Sequence, residues 1–540
     1  MNAPETIEEH NKQIAADYDR HPYVSKAFSY SAPGHLRAAA HLYGMDTVPL
    51  KHARVLELGC AAGGNLLPFA LAYPEATVVG VDLSPVQVEQ GQKVLQDLGV
   101  SNMQLHAMDL TAITPDFGQY DYIIVHGVFS WVPMQVKQAI LRICRENLSP
   151  FGIAYVSYNT YPGWKAGDIV RDAMTLHCHG AETEEERLAR AKAILFMLSE
   201  GLAPSHGMGA SIRQMADSLR RQSDYYITHE YLERFNTPCY LVEFAEAAAQ
   251  VGLAYVGDSE AYAEWPSTYG ANVQLQLNLM ALGQPKIMRQ QYLDFAMGRN
   301  FRKSLLVHQE RAERIAVTPQ REAMEDLRWA GRFTQHENKG SSADLRSYRG
   351  LMNRTVHTQD KTVIAMVEAL DSAWPNTLGY ALLCEAASAA NPEVSAESLR
   401  ELTLAALEKL YCLGMLRHAV DLCPYDQESG DLKEMRLLPG FAYLHRRSAD
   451  SEFGLGAINF WHDSVKVRTT DAQDWLLQHV DDFRDRTRAT AMLARALQQG
   501  AVNGPEQKSY RGQRNLEPLA QKLVNELIDA LQGCGLLLTK

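Results

Sequence analysis

The chain has 540 residues, of which 46% are hydrophobic and 21% are charged, and its formal net charge is −12 at pH 7. These values are ordinary for a globular protein, but the chain is too long for one hydrophobic core, so about two to four domains are expected. The acidic balance disfavours non-specific nucleic-acid binding and suits a basic protein or peptide substrate better.

The cysteines and the first residues of the chain bear on its compartment. Eight cysteines are scattered without a C-x-x-C pair, which suits a reducing cytoplasm and disfavours a disulfide framework or a structural zinc site. The His-Cys-His group at 177–179 has adjacent ligands that cannot easily converge on one ion, so no metal is expected. Residues 1–15 are polar and acidic, unlike a signal peptide, and no apolar run approaches the roughly 20 residues that span a bilayer. We therefore expect a cytoplasmic protein without stable membrane insertion.

Residues 53 to about 157 alternate between strand and helix signals. Ser84-Pro85 predicts a helix start, with serine as the N-cap and proline in the first turn, and Gly99 predicts the end of that helix. Strands that alternate with helices imply an α/β fold with a mostly parallel sheet covered on both faces. The predicted strands lie at 53–59, 77–83, 102–110, 120–128 and 152–159, and the predicted helices at 65–74, 85–98 and 135–147.

After about residue 165 the strand signals thin out and helical spacing takes over. Residues 183–200 begin with a capping box from Thr183 to Glu186 and predict an amphipathic helix. Helical patterns continue at 240–253 and 289–306. The last pattern carries a basic cluster, which predicts a solvated face or a contact for an acidic partner: Arg299, Arg302 and Lys303.

The carboxyl-terminal part of the chain has a different pattern. The stretch at 336–344, HENKGSSAD, is typical of a linker. Residues 359–425 show three short helical patterns followed by a glycine-centred turn and a strand, which predicts a winged-helix-like unit. We find no internal repeats.

Three acidic residues follow the first three predicted strands. Glu57 ends the first strand, Asp82 ends the second, and Asp109 comes just after the third. Ligands of doubly wound sheets bind outside the carboxyl ends of the strands, so these side chains are expected to line one crevice. Each acid also has a simpler explanation, since Asp82 before Ser84 could serve only the helix start and Asp109 could be an ordinary loop acid.

The loop that follows the first strand, in VLELGCAAGGN (55–65), fits S-adenosylmethionine better than a dinucleotide. The spacing of a dinucleotide fingerprint fails at Ala61, although such a loop is also common as a mere tight turn. S-adenosylmethionine carries a sulfonium and an ammonium but no phosphate, and a crevice with three acids suits it. Glu57 would act on the ammonium directly or through water, or order the loop; Asp82 would accept from the ribose hydroxyls and Asp109 from the adenine amino group. Gly59 and Gly63 would let the backbone approach the ligand.

These motifs, with VVGVDLSPVQVEQGQ and MDL, resemble those of class I S-adenosylmethionine-dependent methyltransferases. The resemblance covers about residues 50–160 and implies a Rossmann-like, mostly parallel seven-stranded sheet. Leu83 and Leu110 are expected in the cofactor site beside the acids, and His126 is expected either at the cofactor or as a packed or hydrogen-bonded residue at the strand end. That family usually has glycine where Ala61 stands, so the closeness of the backbone to the ligand is open at this position.

A narrower resemblance lies outside this core. YDRHPYVSKAFSYSAPGHL (18–36), HGVFSWVP (126–133) and YNTYPGW (158–164) resemble methyltransferases with a regulatory domain, as do residues 229–260 and 290–308. Bacterial protein-lysine methyltransferases that act on outer-membrane proteins share this arrangement. The resemblance favours a homodimer and implies that Tyr18 and Tyr23 fold over the cofactor. The implied division is an N-terminal helical lid at 1–50, an S-adenosylmethionine-binding domain at 51–170, a helical regulatory and dimerisation region at 171–310, and a C-terminal domain, winged-helix-like in part, at 311–540.

The methyl acceptor is expected near the ends of the fourth and fifth strands, where aromatic residues are frequent. Methyl transfer to nitrogen needs a neutral amine, and most of the acceleration can come from alignment. Trp131 would either hold a lysine side chain by its aromatic face or serve ordinary packing, and Tyr158 or Asn159 would orient the amine. No residue stands out in the sequence as a general base. The first hypothesis is a protein-lysine methyltransferase; the alternatives are a small-molecule methyltransferase and a cofactor-binding scaffold without activity.

Overall fold

The computed structural model describes eight ranges of the chain: 25–203, 207–233, 235–336, 345–422, 424–425, 435–449, 457–480 and 485–539. Tyr18 and Tyr23, with most of the predicted lid, lie outside the described residues. So does most of the predicted linker, since 337–344 are not described. Within the described residues, no helix combines the length and the apolar character that crossing a membrane requires.

A seven-stranded sheet forms the centre of the first 310 residues. Its strands are β1 (Arg54–Leu58), β2 (Thr77–Asp82), β3 (Met103–Ala107), β4 (Tyr120–Val125), β5 (Leu148–Asn159), β6 (Leu253–Asp258) and β7 (Phe301–His308). They lie in the order β3-β2-β1-β4-β5-β7-β6. The first five strands are parallel, and β7 runs antiparallel to both β5 and β6. The predicted fold class, a Rossmann-like and mostly parallel seven-stranded sheet, is confirmed.

Helices cover the sheet where the sequence predicts them. Every residue of β4 is buried, as expected for a central parallel strand with helices on both faces. At the predicted helix start, Ser84 Oγ accepts a hydrogen bond from the Gln87 amide at 3.2 Å, and Gly99 ends the helix with a left-handed φ of 65°. The helices of this part are α1 (Pro33–Leu42), α2 (Leu67–Ala72), α3 (Pro85–Leu98) and α4 (Met134–Glu146).

Four helices form an insertion between β5 and β6 with a hydrophobic core of its own. They are α5 (Trp164–His177), α6 (Glu184–Glu200), α7 (Gly209–Arg220) and α8 (Asp224–Tyr231). Thr183 caps α6 as predicted, because its hydroxyl accepts from the Glu186 amide at 3.1 Å. The strands β6 and β7 come from residues beyond 170, where the sequence analysis placed a largely helical region. Three further helices flank these strands: α9 (Leu241–Gln250), α10 (Ala271–Met280) and α11 (Lys286–Met297).

The helical prediction at 289–306 is wrong in its second half. The helix α11 ends at Gly298, which has a φ of 59°, and β7 begins at Phe301. Arg302 is fully buried on β7 rather than solvated, and its guanidinium donates to both carboxylate oxygens of Asp294 at 2.8 and 2.7 Å. Arg299 pairs with the same carboxylate at 2.7 Å, and Lys303 pairs with Glu260. The predicted basic face is thus a set of ion pairs, of which those between Asp294 and the two arginines hold α11 on β7.

The rest of the described chain contains a winged-helix-like unit and a helical terminal unit. In the first, three helices, a turn at Gly414 and the strand β13 follow one another as predicted for 359–425, and β13 belongs to the antiparallel sheet β12-β8-β13, whose strand β8 lies before that range. A separate antiparallel sheet, β9 to β11, lies between β8 and the three helices in the chain. The elements are β8 (Arg328–Ala330), β9 (Thr334–His336), β10 (Arg346–Arg349), β11 (Thr355–Thr358), α12 (Lys361–Ala373), β12 (Leu378–Gly379), α13 (Tyr380–Ala390), α14 (Ala396–Cys412) and β13 (Arg417–Ala419). The terminal unit comprises β14 (Met435–Leu437), α15 (Phe441–Ala449), β15 (Ala457–Ile458), β16 (Ser464–Val465), α16 (Asp471–His479), α17 (Arg486–Gln499), α18 (Glu517–Gly533) and β17 (Leu537–Thr539).

The buried carboxylate of Asp294 provides a stability test. Asp294→Ala leaves the Arg302 guanidinium buried without its bidentate partner, and we expect a loss of about 3–5 kcal/mol in the free energy of unfolding. Glu75→Ala is the control, because Glu75 and Lys51 form an exposed ion pair at 3.2 Å that should contribute less than about 1 kcal/mol. Urea titration of the three proteins measures both effects. Equal stabilities would show that the Asp294 network does not support this part of the sheet.

Candidate functional site

A cavity of about 1100 Å³ lies at the carboxyl ends of the parallel strands. Nine of the predicted site residues line it: Glu57, Gly59, Asp82, Leu83, Asp109, Leu110, His126, Trp131 and Asn159. Two predicted residues, Gly63 and Tyr158, are not among the lining residues. The three acids of the sequence analysis therefore meet in one crevice, at the edge of the sheet where ligands of such folds bind.

The loop after β1 turns through three residues with left-handed backbone. Gly59, Ala61 and Gly63 have φ angles of 78°, 48° and 77°. A Cβ atom at Gly59 would lie 2.3 Å from Cγ2 of Val128, and one at Gly63 would lie 2.6 Å from Cε of Met103. Gly63 thus lets the loop pack on β3 instead of lining the cavity. Ala61 occupies a conformation that glycine favours and that costs an alanine about 1 kcal/mol.

Asp82 fixes this loop and the start of α3 together. Its Oδ2 accepts from the Ala61 amide at 2.7 Å, and its Oδ1 accepts from the Ser84 amide at 2.9 Å. The helix-start role considered for Asp82 is therefore real. It does not exclude a ligand, because two carboxylate oxygens can accept about four hydrogen bonds and Asp82 lines the cavity.

Glu57 has one carboxylate oxygen without a partner. Its Oε1 accepts from Asn65 Nδ2 at 2.7 Å, whereas its Oε2 is buried and has no hydrogen-bond partner within the described residues. Burial raises the pKa of Glu57, the hydrogen bond from Asn65 opposes this shift and the nearby Asp82 adds to it, and the resulting pKa is about 8. A ligand ammonium would give the orphaned oxygen the charged partner that burial otherwise denies it.

Asn65 belongs to the site although the sequence analysis missed it. Besides holding Glu57, its Oδ1 accepts from the Phe28 amide at 2.9 Å and its Nδ2 donates to Ser31 Oγ at 3.1 Å. The Gly64 amide donates to Ser25 Oγ at 2.7 Å. The segment before α1 is thereby tied to the loop after β1. The sequence feature that could have identified Asn65 is its amide side chain, which directly follows the small residues of the loop.

Asp109 also combines two roles. Its Oδ1 accepts from the Thr111 amide and hydroxyl, both at 2.8 Å, which starts a short 3₁₀ turn. The same residue lines the cavity with its neighbour Leu110. Asp109 is therefore a loop acid that starts a turn, and its side chain also lies at the end of the crevice formed by β3.

His126 forms part of an aromatic wall. Its ring lies 4.1 Å from the ring of Phe28 and 5.4 Å from that of Tyr30, measured between centroids. Burial lowers the pKa of His126 to about 3, and Lys303 adds to the shift, so the imidazole is neutral at physiological pH. A ligand in the cavity would therefore meet an uncharged ring at this position.

Two of the three predicted acceptor residues lie at the cavity, and the third is buried elsewhere. Trp131 and Asn159 line the cavity, and Asn159 Nδ2 donates to Asn236 Oδ1 at 3.1 Å. Tyr158 is buried on the other side of β5, where its ring stacks on Phe244 with centroids 4.2 Å apart and its hydroxyl meets Ser304 Oγ at 3.0 Å. Successive side chains of a strand point to opposite faces, so Tyr158 and Asn159 cannot serve the same site.

The lining suits a cation better than a phosphate. Of the described lysines and arginines, Lys26 alone lines the cavity, whereas Glu57, Asp82 and Asp109 contribute carboxylates. A phosphate site needs basic side chains or a cradle of backbone N–H groups. Here the amide of Ala61 is already engaged by Asp82. The donor and acceptor set thus fits the sulfonium and ammonium of S-adenosylmethionine.

Two family models match the chain. A methyltransferase domain matches residues 55–152, and a predicted methyltransferase regulatory domain matches residues 223–308. The first match contains strands β1 to β4, which are four of the five parallel strands. The second contains helices α8 to α11 and strands β6 and β7. The two matches together therefore contribute to one sheet.

Several relatives share parts of the sequence. An uncharacterized protein of Rickettsia prowazekii is 38% identical over 232 residues, which are 43% of this chain and 93% of the relative. Another protein of that organism is 37% identical over 57% of this chain and 55% of the relative, and one of Synechocystis is 26% identical over 52% and 55%. The chain thus spans about half the length of the last two relatives.

Solved structures of PKMT2 from Rickettsia typhi share the fold of nearly the whole chain. The similarity has a TM-score of 0.79 at 25% identity and covers 95% of this chain and 100% of PKMT2. A second structure, of PKMT2 in complex with AdoHcy, gives the same TM-score over 96% of this chain.

Asp82 provides a test of the cofactor site. Asp82→Ala removes the acceptor for the ribose hydroxyls and releases the Ala61 amide, so we expect S-adenosylmethionine to bind at least about 100-fold more weakly, since hydrogen bonds to charged groups contribute roughly 1.5–3 kcal/mol each. Asp116→Ala is the control, because Asp116 is exposed outside the cavity. Calorimetry measures both affinities. An unchanged affinity in Asp82→Ala would overturn the assignment.

Glu57 should make cofactor binding depend on pH. With a pKa of about 8, the free protein holds a proton on Glu57 at pH 7, and a cationic ligand favours the ionised form. Binding should therefore release up to one proton at pH 7, and the affinity should rise as the pH increases towards 8. Calorimetry in buffers of different ionisation enthalpy measures the release. Glu57→Gln should abolish it, and a wild-type protein that releases no proton would contradict the proposed contact.

Proposed function

We propose, on the premise that the chain belongs to the class I S-adenosylmethionine-dependent methyltransferases with a regulatory domain, that it methylates lysine side chains of proteins. The observation that carries this proposal is the extent of the cavity. It continues past the three acids, beyond Asn159 of β5, into a region lined by aromatic side chains of α5 and α8. Its volume exceeds the roughly 300–1,000 Å³ of an ordinary small-ligand pocket.

The strand order supports a placement of the cofactor along the cavity. In the order β3-β2-β1-β4-β5, Asp109 and Leu110 would hold the adenine, Asp82 and Leu83 the ribose, and Glu57 with Gly59 the amino-acid end. S-adenosylmethionine, when bound, supplies an electrophilic methyl group on a sulfonium whose charge is relieved by transfer, so the leaving group needs no acid. The ends of β4 and β5 remain for the acceptor.

The acceptor end has the chemistry that a lysine side chain needs. Trp131 lies beyond β4, and the rings of Trp164 and Tyr231 stack with centroids 5.4 Å apart beyond β5. Aromatic faces attract an ammonium or a methylated ammonium, and they cover the apolar stem of lysine. The carboxamide of Asn159 would orient the amine. These residues supply alignment, from which most of the acceleration in such a displacement can come.

The similarity to PKMT2, a protein lysine methyltransferase, supports a protein acceptor. The insertion of helices between β5 and β6 supports it as well, because α5, α7 and α8 widen the acceptor end without filling it. A homodimer, implied by the resemblance, stays a prediction.

A labelling experiment tests this function. The protein is incubated with methyl-labelled S-adenosylmethionine and a bacterial lysate separated into proteins and small molecules, including an outer-membrane protein fraction. We expect label in the proteins, recovered as methyllysine after hydrolysis, and its loss in Asp82→Ala. Label in small molecules alone would contradict the protein-acceptor proposal, and label in neither fraction would favour the scaffold hypothesis.

A further inference from the structure

Glu230 introduces a carboxylate into the acceptor end of the cavity. It lies on α8, within the segment that the regulatory-domain model matches, and it lines the cavity together with Trp164 and Tyr231. The other carboxylates of the lining follow β1, β2 and β3. Among the described residues that line the cavity beyond β4, Glu230 is the sole acid.

Aromatic side chains enclose this carboxylate. Tyr226 and Tyr231 flank it on α8, with ring centroids 6.4 Å apart, and Trp164 of α5 stacks on Tyr231. Carboxylate and aromatic faces together form the environment that binds an alkylammonium, since the acid neutralises the charge and the rings cover the stem. Glu230 itself is half-buried, so a ligand can reach it.

The surroundings make Glu230 a proton acceptor near neutral pH. Burial, together with the charge of the neighbouring Glu233, raises its pKa to about 7. The other titratable groups that face it among the described residues are Tyr226 and Tyr231, with Asp168 next to Tyr231. Glu230 is therefore ionised above about pH 7 and protonated below it. A general base is most effective when its pKa lies close to the working pH.

We infer that Glu230 binds the ammonium of the acceptor lysine and takes one proton from it before methyl transfer. This inference rests on the proposed function and names the residue that prepares its acceptor. The N–H bond of the ammonium breaks, its electron pair stays on nitrogen, and the proton moves to a carboxylate oxygen of Glu230. The neutral amine then holds the lone pair that methyl transfer requires. The proton leaves to water when the product departs.

The first experiment measures binding without turnover. The probe is n-butylammonium, a mimic of the lysine side chain, added to the full-length protein saturated with S-adenosylhomocysteine at pH 8.5 and followed by ligand-observed NMR. We expect Glu230→Gln to bind it at least about tenfold more weakly, because a charge-assisted hydrogen bond is lost. Glu246→Gln on α9, exposed and outside the cavity, should bind as the wild type does. Equal affinities of the wild type and Glu230→Gln would overturn the inference.

The second experiment measures how the rate depends on pH, with the protein fraction that the wild type labels. If Glu230 takes the proton, kcat/KM of the wild type should be level between about pH 7 and the lysine pKa near 10.4. In Glu230→Gln the small neutral fraction of lysine must react, so kcat/KM should fall about 100-fold at pH 8 and rise tenfold per pH unit. A purely structural role would lower the rate equally at every pH, which would contradict the inference.

Glu233→Gln separates the charge of Glu230 from its surroundings. Glu233 lies 3.3 Å from His229 and outside the cavity lining. Its neutralisation removes a charge that raises the pKa of Glu230, so the acidic limb of kcat/KM should move to lower pH while the rate at pH 8 persists. A limb that does not move would contradict the assignment of that limb to Glu230. If the wild type labels no lysine at all, the proposed function fails, whereas the butylammonium measurement still decides the role of Glu230.

Discussion

The candidate site depends on the two hydrogen bonds that the Asp82 carboxylate accepts from backbone amides. One carboxylate oxygen holds the Ala61 amide after β1, and the other holds the Ser84 amide at the start of α3. The two turns that face a ligand are therefore fixed by one side chain that itself lines the cavity. Glu57 and Asn65 extend this support to the segment before α1. The first crevice is thus a connected hydrogen-bonded structure rather than a set of independent contacts.

The sequence predicted the parts of the molecule that local patterns determine. The five parallel strands, the Ser84 cap, the Thr183 cap and the meeting of three acids follow from periodicity, capping chemistry and the rule that ligands bind at strand ends. The strand β7, which lies between β5 and β6 in the sheet, was missed, because Arg302 and Lys303 resemble a solvated helical face until their partners are known. Asp294 lies eight positions before Arg302, and only the turn at Gly298 brings the two together.

The acceptor end shows the same limit. Tyr158 and Asn159 are adjacent in sequence and both suited an amine, but the alternation of a strand sends one into the core and one to the cavity. No sequence pattern marks Glu230. It lies in the cavity only because its helix, inserted between β5 and β6, folds back over the strand ends. The regulatory segment supplies both this helix and two strands of the sheet. The segments that match the methyltransferase and regulatory-domain models are therefore not separate in space, because both contribute strands to the same sheet.

The left-handed backbone of Ala61 has a consequence for how such chains are recognised. Glycine favours this conformation, and asparagine or aspartate adopts it at modest cost, whereas a β-branched residue would be strongly strained. Small or short polar residues are thus the tolerated set at this turn, and the methyl group of alanine is within it. A motif search that demands glycine at the position would pass over this chain, although its backbone makes the turn that the glycine serves.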